Sequence, residues 1–350
     1  MSAIPDDAPF DLAAPWGARS HVTDLGGPVH WVEFDPPEGS PRTDSSDTSD
    51  TSGAPVVLVH GLGGSHLNWV HVGPALAAGR RVVALDLPGF GLTPSGGRST
   101  SVQANADVLG RFVDEVVGAP AVLVGNSMGG MISLLLADRS PEPVAGLVLV
   151  DPALPAPAQL QDRQVAVTFA LYAVPRVGEL FLSRLQSRYT DRQRVLGTVQ
   201  LCFADPSRAD AAVVEAGVTL TQWRGALPAK DTEFLGAARS LLSVLRRPRR
   251  YDALVSGIDR PVLLVHGDRD RLVPFAAAQR TATRNPGWSS VWLEGVGHTP
   301  QLEVPERFLA EVLPFLESVE GDARVERADG VGALDEPRTG TDAHRPAGPA

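Results

Sequence analysis

The chain has 350 residues, 43% hydrophobic and 21% charged, with a formal net charge of −10. An acidic balance without a basic stripe argues against nucleic acid as a partner, and one cysteine, Cys202, excludes an intramolecular disulfide framework. No apolar run reaches the length that crosses a bilayer, so stable membrane insertion is not expected.

The stretch from Met1 to Asp7 has neither the basic nor the apolar region of a secretory signal. The expected location is the cytoplasm. After an N-terminal segment, 1–27, the run Val29 to Phe34 reads as a first strand. Residues 36–54 are Ser, Thr, Asp, Pro and Gly with little to bury, so they are expected to stay disordered.

Short apolar runs then recur at Pro55 to His60, Arg81 to Leu85, Ala121 to Val124 and Gly146 to Val150, and again at Pro261 to Val265 and Ser289 to Leu293. Runs of this kind are strands buried on both faces. Helical patterns at Val102 to Val117 and Met128 to Asp138 separate some of them. The expected fold class is α/β, a mostly parallel twisted sheet with helices on both faces.

The alternation stops after Asp151. Residues 153–250 show no strand but three helical patterns, Val165 to Tyr172, Gly178 to Leu185 and Ala237 to Leu245. Leu180, Phe181 and Leu182, beside Arg176 and Arg184, read as an amphipathic helix rather than a membrane span. A helical block between two strands of one sheet predicts a lid over the sheet's carboxyl edge, where α/β proteins place ligands. Phe169, Tyr172, Phe203 and Trp223 are expected in its core, with pocket lining as the other reading. Arg246, Arg247, Arg249 and Arg250 read as a solvated helix end. The second part of the core is expected at 251–318, and a disordered tail at 319–350.

Chemistry concentrates at the ends of the strands. Gly125-Asn126-Ser127-Met128-Gly129 follows one strand and opens a helix. A sharp strand-to-helix turn presents its central residue outward, and a Cβ at either flanking glycine would strike the neighbouring strand or helix. Ser127 is the candidate nucleophile. A serine hydroxyl needs a base oriented by a carboxylate. His298, in the loop Gly295-Val296-Gly297-His298 after the last strand, supplies the base. Asp270, after the strand ending at Val265, supplies the acid, with Asp268 as a turn former and Asp151 in reserve. His60 and His266 read as buried structural residues. His66 and His71 read as pocket-entrance residues, and His21, His30 and His344 as surface residues. The backbone N–H groups of Leu62, in His60-Gly61-Leu62-Gly63-Gly64, and of Met128 are the candidate oxyanion donors. No cofactor or metal-ligand motif is recognised, and the expected partner is a small-molecule substrate.

Together with Asp86-Leu87-Pro88-Gly89-Phe90-Gly91, these motifs run in the order of the α/β-hydrolase superfamily, which the chain resembles from about Val29 to Leu316. The resemblance implies a Ser127-His298-Asp270 triad, the Leu62 and Met128 oxyanion hole, and a structural role for Asp86 to Gly91. It also implies a serine hydrolase acting on a carboxylic ester. Serine at the elbow excludes the aspartate-nucleophile branches. The Gly-Asn-Ser-Met-Gly-Gly stretch is similar to C–C hydrolases of ring-fission diketo acids, although Gly63-Gly64-Ser65 and Thr299 depart from their pattern. A ligand receptor on the same fold is the non-enzymatic alternative.

Overall fold

A computed structural model describes residues 4–39, 53–157, 159 and 161–332. Eight strands form one sheet in the order β1-β2-β4-β3-β5-β6-β7-β8. They are β1 (Ala18–Asp24), β2 (Pro28–Phe34), β3 (Val56–Val59), β4 (Val82–Leu85), β5 (Ala121–Asn126), β6 (Val144–Val150), β7 (Val262–Gly267) and β8 (Ser289–Leu293). The β1–β2 and β2–β4 pairs are antiparallel, and the pairs from β4 through β8 are parallel.

The continuous apolar runs have a simple cause. Successive strand side chains point to opposite faces, and both faces are covered. Val57 and Val59 of β3 join one buried cluster, with Leu109, Phe112 and Ile132. Val56 and Leu58 join the other, with Trp69, Leu76 and Phe308.

Twelve helices are described: α1 (Gly73–Leu76), α2 (Val102–Phe112), α3 (Met128–Arg139), α4 (Arg163–Ala173), α5 (Val177–Arg188), α6 (Asp191–Cys202), α7 (Ala211–Gly225), α8 (Lys230–Leu245), α9 (Pro248–Ser256), α10 (Phe275–Arg284), α11 (Pro300–Glu303) and α12 (Pro305–Gly332). The expected helix from Val102 is regular to Phe112 and finishes in a wider π turn, Val113–Val117.

Four features depart from the sequence reading. The N-terminal segment contains β1, an edge strand whose outward face is polar and partly exposed, so its signal is weak. The helical insertion between β6 and β7 holds α4 to α9, including α6 and α7, which no expected element covered, and extends past residue 250 to Ser256. Helix α6 buries no residue fully, so no apolar stripe marks it. At the C-terminus, α12 runs on to Gly332 where a tail was expected from 319; adding a residue to an existing helix costs far less than starting one. The disordered segment expected at 36–54 lies mostly outside the described residues, as does His344.

Candidate active site

The carboxyl ends of five parallel strands and the loops that follow them assemble the site. Strand β5 ends at Asn126, and the chain turns into α3 through Ser127 at φ 55°, ψ −115°. A side chain other than glycine seldom adopts positive φ, and here the surroundings impose it. The Ser127 N–H donates to the Val150 carbonyl (2.9 Å), and its own carbonyl accepts from Ala153 N (3.0 Å) and Met131 N (3.2 Å). A Cβ at Gly125 would lie 2.7 Å from the Gly129 carbonyl and the Gly130 nitrogen, and one at Gly129 would collide with the Val59 carbonyl oxygen. The turn therefore needs both glycines.

Helix α3 begins at Met128, so its free amide end points at the serine. The loop after β3 approaches equally closely: a Cβ on Gly61 would sit 3.1 Å from Ser127 Cβ. Among the described residues, neither the Leu62 nor the Met128 N–H donates to a protein acceptor. His60 anchors this loop. Its Nδ1 pairs with the Gly61 carbonyl (2.7 Å) and its Nε2 accepts from Leu87 N–H (3.1 Å). Burial lowers its pKa, so the ring is a neutral strut.

His298 follows β8 and is held at both ends. Its N–H donates to the Cys202 carbonyl (2.6 Å), and its carbonyl accepts from Asn126 Nδ2 (3.0 Å). Its Nδ1 meets Asp270 Oδ2 at 2.7 Å. Asp270 Oδ1 in turn accepts from Leu272 N (2.7 Å) and Val273 N (3.0 Å). Burial pushes the Asp270 carboxyl up, but the His298 charge and hydrogen bond, His266 and the Val273 amide together hold it below its ordinary value. It is an anion aimed at one ring nitrogen.

Asp151 and His266 lie behind this pair. Asp151, at φ 43°, accepts from Gly267 N (2.9 Å) through Oδ1, while its buried Oδ2 has no partner. Burial, and then the Asp270 charge, push the Asp151 carboxyl well above its ordinary value. Its charged form is disfavoured there, which leaves it unsuited to stabilising an imidazolium. His266 Nε2 pairs with the Val273 carbonyl (3.0 Å), and its Nδ1 lies 3.5 Å from Asp151 Oδ1. The structural reading of His266 agrees with this. Asp268 receives the Gly295 N–H (2.7 Å), consistent with a turn former.

Two histidines lie elsewhere than the sequence suggested. His30, read as a surface residue, and His66, read as a pocket-entrance residue, are both buried on Asp86. Asp86 accepts from His30 Nδ1 (2.8 Å), His66 Nδ1 (2.9 Å), His66 N (2.7 Å) and Leu92 N (2.8 Å). Burial pushes this carboxyl up, yet the His66 and His30 charges and hydrogen bonds hold it well below the carboxylate range. A polar core centred 56 positions from His30 and 20 from His66 in sequence leaves no local pattern, which is why both residues were misplaced. His71 does line the cavity.

Ser127, Leu62 and His298 face one cavity of about 790 Å³ between the sheet edge and the insertion. Phe169, Tyr172 and Phe203 line it, whereas Trp223 packs into the core below. Glu303, unremarked in the sequence, ties the insertion to the His298 loop: it accepts from Gly297 N (2.8 Å), Ala204 N (3.0 Å), Asp205 N (3.0 Å) and Arg208 Nη1 (3.0 Å). Asn126 was likewise missed, although a polar residue ending an apolar strand is a visible signal. Two buried triplets have ligand atoms within reach of one ion: His30-His66-Asp86 and Asp151-His266-Asp270. Hydrogen bonding accounts for the first, and in the second the nearest oxygen already serves His298.

The arrangement brings a serine at positive φ, a histidine hydrogen-bonded to a buried aspartate and the loop that holds Leu62 to one cavity. Among relatives, the dihydrolipoyllysine-residue acetyltransferase component of the acetoin cleaving system of Pseudomonas putida is 29% identical over 75% of this chain, which spans 64% of that protein's length. A pimeloyl-[acyl-carrier protein] methyl ester esterase of Aromatoleum aromaticum is 30% identical over 72% of this chain and 93% of its own. A meta-cleavage product hydrolase of Pseudomonas fluorescens IP01 superposes with a TM-score of 0.64 over 87% of this chain and 99% of its own, at 19% identity. The family model for alpha/beta hydrolases matches residues 56–311, and the chain belongs to that family.

Proposed function

We propose that the protein hydrolyses a carboxylic ester of a small, largely apolar substrate through an acyl-enzyme on Ser127. The observation that carries this reading is the convergence of the strained Ser127, the 2.7 Å His298–Asp270 pair and the Leu62 loop on one cavity. Ser127 Oγ attacks the ester carbonyl carbon while His298 Nε2 takes its proton. The carbonyl oxygen gains the electron pair and is held by the Leu62 and Met128 N–H groups at the positive end of α3. Collapse breaks the C–O bond, and the alcohol leaves with the proton from His298. A water activated by the same ring then frees the acid and restores the serine. Asp270 keeps the proton on Nδ1 and stabilises the imidazolium without accepting the proton itself.

The insertion acts as a lid that shields this chemistry from water. The cavity falls within the roughly 300–1,000 Å³ usual for small-molecule sites. Similarity to an enzyme named for a methyl ester favours the ester over a C–C bond; the meta-cleavage hydrolase shares the fold at an identity that speaks for the fold alone. The test is a panel of p-nitrophenyl esters of increasing acyl length beside a vinylogous diketo acid. Turnover of the esters alone supports the reading. Turnover of the diketo acid alone contradicts it, and binding of either class without turnover would instead identify a receptor.

A further inference from the structure

Exposed apolar surface on this molecule is concentrated in one place. Of the eight large apolar side chains that are exposed among the described residues, six fall between Val167 and Leu196. Four of those lie on α4, α5 and their junction, with Val167 on α4, Val174 at its C-cap and Val177 and Leu180 on α5, and Leu180 is 64% exposed. The spacing explains how they share a surface. Val167 and Val174, two turns apart, fall on the exposed side of α4 and at its C-cap, and Val177 and Leu180, three apart, fall on the exposed side of α5. The two helices are bent by 120° at their junction, which Val174 and Val177 flank. Other residues of the same helices line the cavity, Phe169 and Tyr172 from α4 and Leu182 and Gln186 from α5.

The charges along these two helices are mainly positive. From residue 163 to 188 there are four arginines, Arg163, Arg176, Arg184 and Arg188, and one acid, Glu179, a formal +3 (4 − 1) within a chain of net −10. Glu179 is engaged by Arg239 at 3.0 Å. Asp162, at the start of α4, is engaged by Arg271 at 3.0 Å. All four arginines are exposed, and none of them forms an ion pair among the described residues, although Arg188 lies over the Tyr189 ring.

We propose that the α4–α5 tip docks on an anionic lipid surface, its apolar side chains entering the interface and its arginines meeting the headgroups. Exposed apolar side chains interspersed with unpaired arginines are the pattern of a helix that lies in an interface. No single helix is long and apolar enough to cross a membrane; α4 and α5 reach that apolar length only as a pair, and the 120° bend between them suits a tip that enters the interface. A protein partner fits less well, because a stable protein interface takes roughly 20–30 residues a side, whereas a lipid surface needs no matching contour. Docking would set the cavity mouth against the source of an apolar acyl ester, a consequence that rests on the ester-hydrolase reading.

The experiment uses the full chain with vesicles of phosphatidylcholine alone or of equimolar phosphatidylcholine and phosphatidylglycerol. The wild type is expected to bind the anionic vesicles and to release as salt rises. The double variant Val174→Glu/Leu180→Glu is expected to bind at least ~10-fold more weakly, and each Arg184→Gln or Arg188→Gln change to weaken binding ~5-fold. Hydrolysis of a water-soluble short ester by the double variant should match the wild type, which shows that it folds, while hydrolysis of a long-chain ester dissolved in the vesicles should fall. Absence of wild-type binding, or binding unchanged in the double variant, overturns the proposal. So does a wild-type dimer that the double variant dissociates, since a second copy would then cover the tip. Vesicle binding without hydrolysis of any ester would sink the hydrolase reading and leave docking intact.

Discussion

Replacing Asp270 with asparagine changes one oxygen to an NH₂ and should nonetheless remove most of the activity, for a reason visible in the hydrogen bonds. Asp270 Oδ1 accepts two backbone N–H groups, from Leu272 and Val273. An asparagine must keep its oxygen there, since turning the NH₂ toward two donors leaves buried groups unpaired at about 1–3 kcal/mol each. The NH₂ then faces His298 Nδ1 and donates to it. His298 is forced into the tautomer with its proton on Nε2, and the nitrogen meant to take the serine proton has no lone pair to offer. The loss expected for a wrong-tautomer base is about 10³–10⁴ in kcat, or roughly 4–5.5 kcal/mol at 1.36 kcal/mol per decade. The assay is kcat on p-nitrophenyl butyrate, with circular dichroism to confirm the fold. Because the Asp270 pKa is lowered in the folded state, its carboxylate stabilises the protein above the unfolded value near 3.9. That contribution is lost as pH falls through the folded pKa, so the variant's melting deficit should shrink toward acid. A folded variant within about tenfold of wild-type kcat would refute the tautomer argument.

Asp151→Asn should behave in the opposite way, with activity close to wild type, because burial and the Asp270 charge already disfavour the charged form of the group it replaces, which makes no hydrogen bond to His298. Its pKa is raised in the folded state, so wild-type stability is full below the unfolded value near 3.9 and declines as pH rises through the folded pKa; thermal melts should show the variant gaining on the wild type as pH rises, and a difference constant between pH 4 and 8 counts against the buried neutral acid. Asp86→Ala strips the carboxylate from two buried histidines and two N–H groups. It should cost about 3–5 kcal/mol, seen as a fall in Tm on the order of 10 °C, and a change of only a degree or two would show that the network carries no stability.

The sheet and the candidate site were legible because each part of them leaves a local signal. The double-faced burial of β3, β5, β6 and β7 writes continuous apolar runs, and the elbow demands glycines at 125 and 129. Asp270 and His298 stand in short loops directly after such runs. What was not legible is set by distance or by compensation. Asp86 joins residues from β2, the loop after β3 and the loop after β4, and Glu303 joins the α6–α7 connection to the His298 loop, so neither network has a sequence period. Strand β1 alternates weakly because its outer face is wet. Helix α6 did carry a usable mark: Thr190 and Gln193 form a capping box at its start. That signal is independent of burial, and reading it would have placed the helix despite its missing apolar stripe.

The most direct test of the account is where a serine-directed fluorophosphonate reacts. Labelled protein analysed by intact mass and peptide mapping should carry one adduct, on the peptide containing Ser127, and Ser127→Ala should carry none. Equal labelling of the two proteins, or a folded wild type that takes no label, would contradict the assignment of Ser127 as the nucleophile.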